Sequence, residues 1–340
     1  MAGRMKRIAL ILILFVLLTN APHFGQQPPL QPVALRVEAE PLPLPSQAVQ
    51  ASYDPLRLEG LWRLNGSHPA FGGLSALLVD GERGGALHFT GLDDSGEHVA
   101  FTLGGKGEAR MAALPRLPEQ ADEKGWMQDT ESMTRDSASG RIWAGFESTQ
   151  RICRYAPGFA RIEGCASAEA LKAWPIQGSI ESLVRFGDGR FLAIAERAIS
   201  PLGGFDVLLW ASDPVDPETP PPVHLSYRAP TGYRPTDALW LGGDRLLVLN
   251  RRFTVFGWFT AKLVLVRMPR LEEGALLRGE TIATFDRPGP IDNFEALALS
   301  REGDRAILWV ASDDNHLFVQ KTLLFKFALP NNWVSDAPAP

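Results

Sequence analysis

Five short segments of this chain repeat one pattern at a near-constant interval: Ser75-Ala76-Leu77, Glu131-Ser132-Met133, Glu181-Ser182-Leu183, Asp237-Ala238-Leu239 and Glu295-Ala296-Leu297. Their leading residues lie 56, 50, 56 and 58 positions apart. Self-similarity at such a period marks a repeat architecture, in which each unit buries its apolar face against the next. The leading residue is acidic in four copies and Ser in one, the second is Ala or Ser, and the third is Leu or Met.

The third copy shows what one unit contains. Ile180 to Phe186, Arg190 to Glu196, Phe205 to Ala211 and Val223 to Arg228 are short apolar runs bounded by Gly, Pro and Asp. That is the pattern of an antiparallel meander of four strands. The fourth copy repeats it at Asp237 to Leu241, Arg245 to Leu249, Lys262 to Met268 and Thr281 to Phe285, and no segment reads as an amphipathic helix. Four strands per repeat without helices predict an all-β chain, a β-propeller of four-stranded blades. Five motif copies predict five blades. The last copy offers three strands, so Leu56 to Leu64 is expected to supply its fourth and close the ring. Six blades would follow if Val33 to Leu44 built a degenerate sheet of its own. The small second residue fits the crowding of innermost strands around a central channel.

The N-terminus reads as an export signal over residues 1–21. Arg4, Lys6 and Arg7 precede an apolar run of eleven residues, Ile8 to Leu18, and then Thr19-Asn20-Ala21. The run is short for a bilayer span, and an uncleaved anchor is the alternative. Residues 22–50, rich in Pro and Gln, are expected to be a disordered leader. Residues 51–330 then form one domain, followed by a tail at 331–340. A periplasmic or secreted location follows from the signal, with no membrane span beyond it. The net charge of −5 excludes the basic footprint that general nucleic-acid binding needs. In an oxidising compartment Cys153 and Cys165 are expected to pair, because the runs around them flank Pro157-Gly158 as hairpin strands would.

Carboxylates brought together at equivalent places must take up protons or cations. Glu131, Glu181, Asp237 and Glu295, with Asp129 and Asp292-Asn293 beside them, are therefore candidate ligands for a hard cation, Ca²⁺ first. The alternative is that each acid caps its own blade. A companion set follows each second strand: Asp93-Asp94, Glu147, Glu196-Arg197, Asn250-Arg251-Arg252 and Asp313-Asp314-Asn315. Arg197 and Arg251 have the forked geometry for phosphate or carboxylate. Ser75, the exception in the acidic position, could act as a nucleophile only with a base such as His316. No organic cofactor is indicated, since no phosphate-binding glycine loop or dinucleotide fingerprint occurs.

Phe71-Gly72-Gly73-Leu74-Ser75-Ala76-Leu77, Asp129-Thr130-Glu131-Ser132, Leu249-Asn250-Arg251-Arg252-Phe253, Asp292-Asn293-Phe294-Glu295, Ser312-Asp313-Asp314-Asn315 and Gln320 to Phe325 together resemble the phytase-like domain family. These are exported bacterial proteins labelled for the esterase-like activity of phytase. The resemblance covers about residues 55 to 330. It implies hydrolysis of phosphate or carboxylate esters, by analogy with alkaline phytases, which are calcium-loaded propellers. It points to Glu131, Glu181, Asp237, Asp292, Glu295, Asp313, Asp314 and Asn315 as site residues without assigning roles. The expected partner is a small anionic ester. The competing expectation is a non-catalytic propeller that binds an envelope ligand.

Overall fold

The computed structural model describes residues 31–123 and 125–335. The expected signal peptide lies outside the described residues. No helix among the described residues is long and apolar enough to cross a membrane.

Strands β1 (Val33–Pro41) and β2 (Arg57–Gly66) precede the first repeat. Four strands then form each of the next three antiparallel groups. The first holds β3 (Leu74–Arg83), β4 (Ala86–Asp93), β5 (Glu97–Leu103) and β6 (Glu108–Ala113). The second holds β7 (Thr130–Arg135), β8 (Ile142–Phe146), β9 (Arg151–Tyr155) and β10 (Ile162–Ala166). The third holds β11 (Ile180–Arg185), β12 (Phe191–Ile199), β13 (Phe205–Trp210) and β14 (Val223–Tyr227). The fourth runs β15 (Arg234–Gly242), β16 (Arg245–Thr254) and β17 (Trp258–Arg267). The two-residue β18 (Leu276–Leu277) joins β14 in parallel, and β19 (Gly279–Phe285) completes the group. The last has β20 (Asn293–Glu302), β21 (Arg305–Asp313) and β22 (Leu323–Ala328), and β2 pairs with β22 as its fourth strand. First strands neighbour one another in a closed succession, β3 to β7 to β11 to β15 to β20 and back to β3. This is a β-propeller.

The second motif residue is buried in every copy: Ala76, Ser132, Ser182, Ala238 and Ala296. The crowding is tangible at Gly145, where an added Cβ would lie 2.4 Å from Ser132 Oγ and 2.7 Å from Ile180 Cγ2. Hydroxyls bridge the first strands directly. Ser75 Oγ donates to Thr130 O at 2.6 Å, Ser132 Oγ to Ile180 O at 2.8 Å, and Thr236 Oγ1 to Phe294 O at 3.2 Å. Each lands on the carbonyl just before the leading motif residue of the next blade. A buried donor satisfied this way contributes about 1 kcal/mol, so the repeat carries its own latches.

The leader expected to be disordered is corrected by β1. Val33–Arg36 pairs with β6 and Val37–Pro41 with β2, so one strand straps the first group to the last. It builds no separate sheet. Val33, Leu35, Val37 and Ala39 alternate with polar or small residues, and Leu35 and Val37 are buried. That period-two signal lies beneath the Pro/Gln composition, and the open edges of β2 and β6 give it a place to pair. In the expected tail, Trp333 and Val334 pack on the core and Ser335 N donates to Leu241 O.

Cys153 and Cys165 face each other across β9 and β10 and form a disulfide around the Pro157–Phe159 turn. Its loop of 12 residues' separation is short. Replacing both cysteines with Ser should lower the unfolding free energy by about 2–3 kcal/mol, read as a shifted urea midpoint.

Candidate metal centre and channel mouth

A register irregularity positions the site. Near the start of every first strand a residue is skipped in the ladder to the second strand: Ser75, Glu131, Glu181, Thr236 and Glu295. Such a bulge bends the strand and re-aims the extra side chain, a device common beside active sites. Three copies place the motif acid there. In the fourth the bulge comes one residue early, so Thr236 takes the re-aimed position and Asp237 returns to the ladder opposite Leu249.

The second strands complete the arrangement. One residue beyond the pair that opens each bulge stand Asp94, Glu147, Glu196, Arg251 and Asp313. The acidic set and its companions, separate in the sequence reading, are thus two circuits of one site. The fourth blade, which bulges Thr236 where three others bulge an acid, is the blade that contributes Arg251. Its guanidinium binds Glu295 Oε1 and Asn293 Oδ1 through Nη1, and Glu196 Oε1 at 3.1 Å through Nη2. Asn293 Nδ2 in turn donates to Glu295 Oε1 and Asp313 Oδ2, each at 2.9 Å.

Among the described residues no ion pair neutralises the acids across the channel. Asp129, Glu131 and Glu147 offer carboxylate oxygens that lie within 4.8 Å of one another. Asp129 also accepts from Ser148 Oγ at 3.0 Å, and Glu147 from Gly178 N. Burial pushes the Glu131 carboxyl well above its usual range, and Glu181, Asp129 and Glu147 add repulsion. The same holds for Glu181, through burial and then Glu196 and Glu147, and for Asp129, through burial and then Glu147 and Asp94. Glu295 is raised by burial but only to about 7, because Arg251 opposes the rise. Burial works against the charge of Arg251, yet Glu295, Glu196 and Glu181 hold its proton more firmly than usual. The donors are all hard oxygens, the set a Ca²⁺-sized ion prefers. Close by in the ring, the buried hydroxyl of Ser179, two residues before Glu181, has no hydrogen-bond partner among the described residues.

The other expected site residues turn elsewhere. Asp237 accepts from Leu297 N at 2.6 Å and Ala238 N at 2.7 Å, so it clamps two blades. Asp292 accepts from Asn293 N, Gln320 Nε2 and Lys321 N and secures the loop before β22. Asp314 ties that loop to the first blade through Gly73 N and to Thr322 Oγ1. Asn315 N caps Asp313, and the Asn315 side chain reaches Gln320. Arg197 binds Glu196 Oε2 at 2.9 Å and keeps 40% of its side chain exposed. Ser75 is buried and spends its hydroxyl on Thr130 O. His316 groups with Asp93 and Asp94, but Asp93 is occupied by the N–H groups of Ser95 and Glu97. Glu147, Glu196 and Asp129 matter more than the motif alone suggests. Their signal is the companion recurrence and, for Asp129, its place two residues before a bulged acid.

A sequence model of the phytase-like family, described as esterase-like activity of phytase, matches residues 69–316. This chain belongs to that family. Among solved structures, one similar chain is in "Crystal structure of BBS1N in complex with ARL6DN, soaked with mercury", at 11% identity over 81% of this chain and 73% of that one, with a TM-score of 0.35. Another is the β-propeller domain of Myceliophteria_thermophila Cps50 (Swd1), at 10% identity over 89% and 99%, also at 0.35. No curated protein matches the chain.

Proposed function

We propose that this phytase-like propeller hydrolyses phosphate or carboxylate esters at the acidic mouth of its channel, with Ca²⁺ held by Asp129, Glu131 and Glu147. One observation carries the reading: three carboxylate oxygens lie within 4.8 Å of one another on the side of the channel that Arg251 does not reach. When bound, such an ion supplies Lewis acidity toward the ester oxygen. Arg251 is already filled by Glu295, Asn293 and Glu196, so it stiffens the wall and does not bind substrate. The substrate's anionic group falls to Arg197, whose side chain stays 40% exposed beside Glu196. Glu295, held near neutrality, is suited to accept or return a proton. The closed disulfide supports an oxidising location outside the cytoplasm.

The test is direct. Purified protein should hydrolyse p-nitrophenyl phosphate or a p-nitrophenyl carboxylate ester with Ca²⁺ and stop with a chelator. Its thermal midpoint should rise with Ca²⁺ by several degrees, as about 2–3 kcal/mol of ligand linkage requires. Absence of both hydrolysis and thermal shift sinks the reading.

A further inference from the structure

The turns between second and third strands emerge on the same side of the ring as the carboxylates, because each first strand starts where its second strand ends. Ile180 faces Ala195 and Pro235 faces Asn250. Seven of the nine large apolar side chains that stand exposed among the described residues sit on these turns or at the strand ends beside them. Ile199 ends β12 and Leu202 lies on the β12–β13 turn. Phe253 stands near the end of β16, Val255 and Phe256 on the β16–β17 turn, and Phe318 and Val319 on the β21–β22 connection. Phe256 is 99% exposed and Phe318 100%. The corresponding turns of the first two blades, Asp94 to Gly96 and Glu147 to Gln150, are short and polar. The apolar tips therefore fill one sector, the three blades away from the carboxylate triad.

Cations interleave with these tips. A pocket of about 410 Å³ is lined by Phe205, Arg228, Pro230, Tyr233 and Arg234. Arg228 is exposed and has no ionic partner among the described residues. Arg252 lies 4.7 Å over the Tyr233 ring, and Lys262 lies 5.1 Å from it. A positive, apolar sector on a chain of net charge −5 is a local design.

We propose that this sector docks on an anionic lipid surface, with Ile199, Phe256 and Phe318 sunk among the acyl chains and the pocket between Arg228 and Arg234 seating an anionic headgroup. The tips stand on separate turns with charged groups between them. A protein partner buries a contiguous, shape-matched area, whereas a bilayer interface admits isolated apolar side chains and rewards flanking cations. Each cation near an anionic surface strengthens binding about fivefold. The docking rests on shape and charge and is independent of hydrolysis at the mouth.

The test reads which face meets the lipid, so that the apolar N-terminal run cannot mimic the result. Full-length protein with Phe256→Cys carries an environment-sensitive dye, the native cysteines being closed in their disulfide. Ala138→Cys, on the β7–β8 turn at the opposite side, is the control. With vesicles of equal phosphatidylglycerol and phosphatidylcholine, the dye at 256 should shift to shorter wavelength and the dye at 138 should not. Phosphatidylcholine alone should leave both unchanged. Adding Arg228→Gln and Arg252→Gln should raise the half-saturating lipid concentration roughly 25-fold. The proposal is overturned if the dye at 256 stays in water on vesicle-bound protein, or if both positions respond alike. It is equally overturned if the dye at 256 shifts without lipid as protein concentration rises, since a second copy would then cover the face.

Discussion

In saturating Ca²⁺, Glu131→Gln protein should lose about 100-fold or more of the kcat/KM for ester hydrolysis, while the same substitution raises the stability of the cation-free protein at pH 8. The two signs have one cause. Glu131 stands with Asp129 and Glu147 in the triad, and its carboxyl is pushed well above its usual range by burial, then by Glu181 and Asp129. A carboxyl whose folded value is raised costs stability as pH climbs through that value, because the unfolded chain ionises freely and the fold resists. Gln removes that cost and removes the ligand with it. Parallel chelator and Ca²⁺ melts, alongside the ester assay, separate the effects. Unchanged activity with an unchanged Ca²⁺ shift would remove the triad from the chemistry.

Arg251→Met should destabilise the protein by about 3–5 kcal/mol at pH 8, because it strands Glu196 and Glu295 as buried charges without their cation. The deficit should shrink as pH falls. Glu295 already titrates near 7 with Arg251 beside it, and without the guanidinium its folded value moves higher. Its contribution is therefore fully present below the ordinary carboxyl range of about 4.5 and lost as pH rises through the folded value. Urea titrations at pH 5 and pH 8 read the difference. Arg251→Met combined with Glu295→Gln should be less unstable at pH 8 than Arg251→Met alone, a non-additivity expected of groups in one network. A deficit below about 1 kcal/mol that ignores pH would show that the cluster carries no charge for Arg251 to offset.

Much of this was legible beforehand for identifiable reasons. Strands bounded by Gly, Pro and Asp recur with the motif, so β11 to β14 follow from local turn chemistry and alternation. The closing role of β2 follows from counting strands in the last repeat. The β1 strap was harder, because the alternation of Val33, Leu35 and Val37 is weak evidence until two open edges exist for it to join. Asp237 is the instructive case. It matches Glu131 and Glu181 letter for letter in the motif, yet it faces backbone N–H groups.

The sequence by itself determined the repeat, the all-β ring, the small residues at the crowded centre and the pool of acids from which a site is drawn. Those follow from periodicity, turn residues and side-chain volume, all written locally. Only the tertiary structure decided which acids meet. A bulge displaced by one residue sends Thr236 to the re-aimed position where Glu131, Glu181 and Glu295 stand, and returns Asp237 to the ladder. It also sets Arg251 opposite the carboxylate triad. Side-chain direction in a strand reverses with each residue, so a single-residue shift in pairing, invisible in the letters, separates a ligand from a clamp.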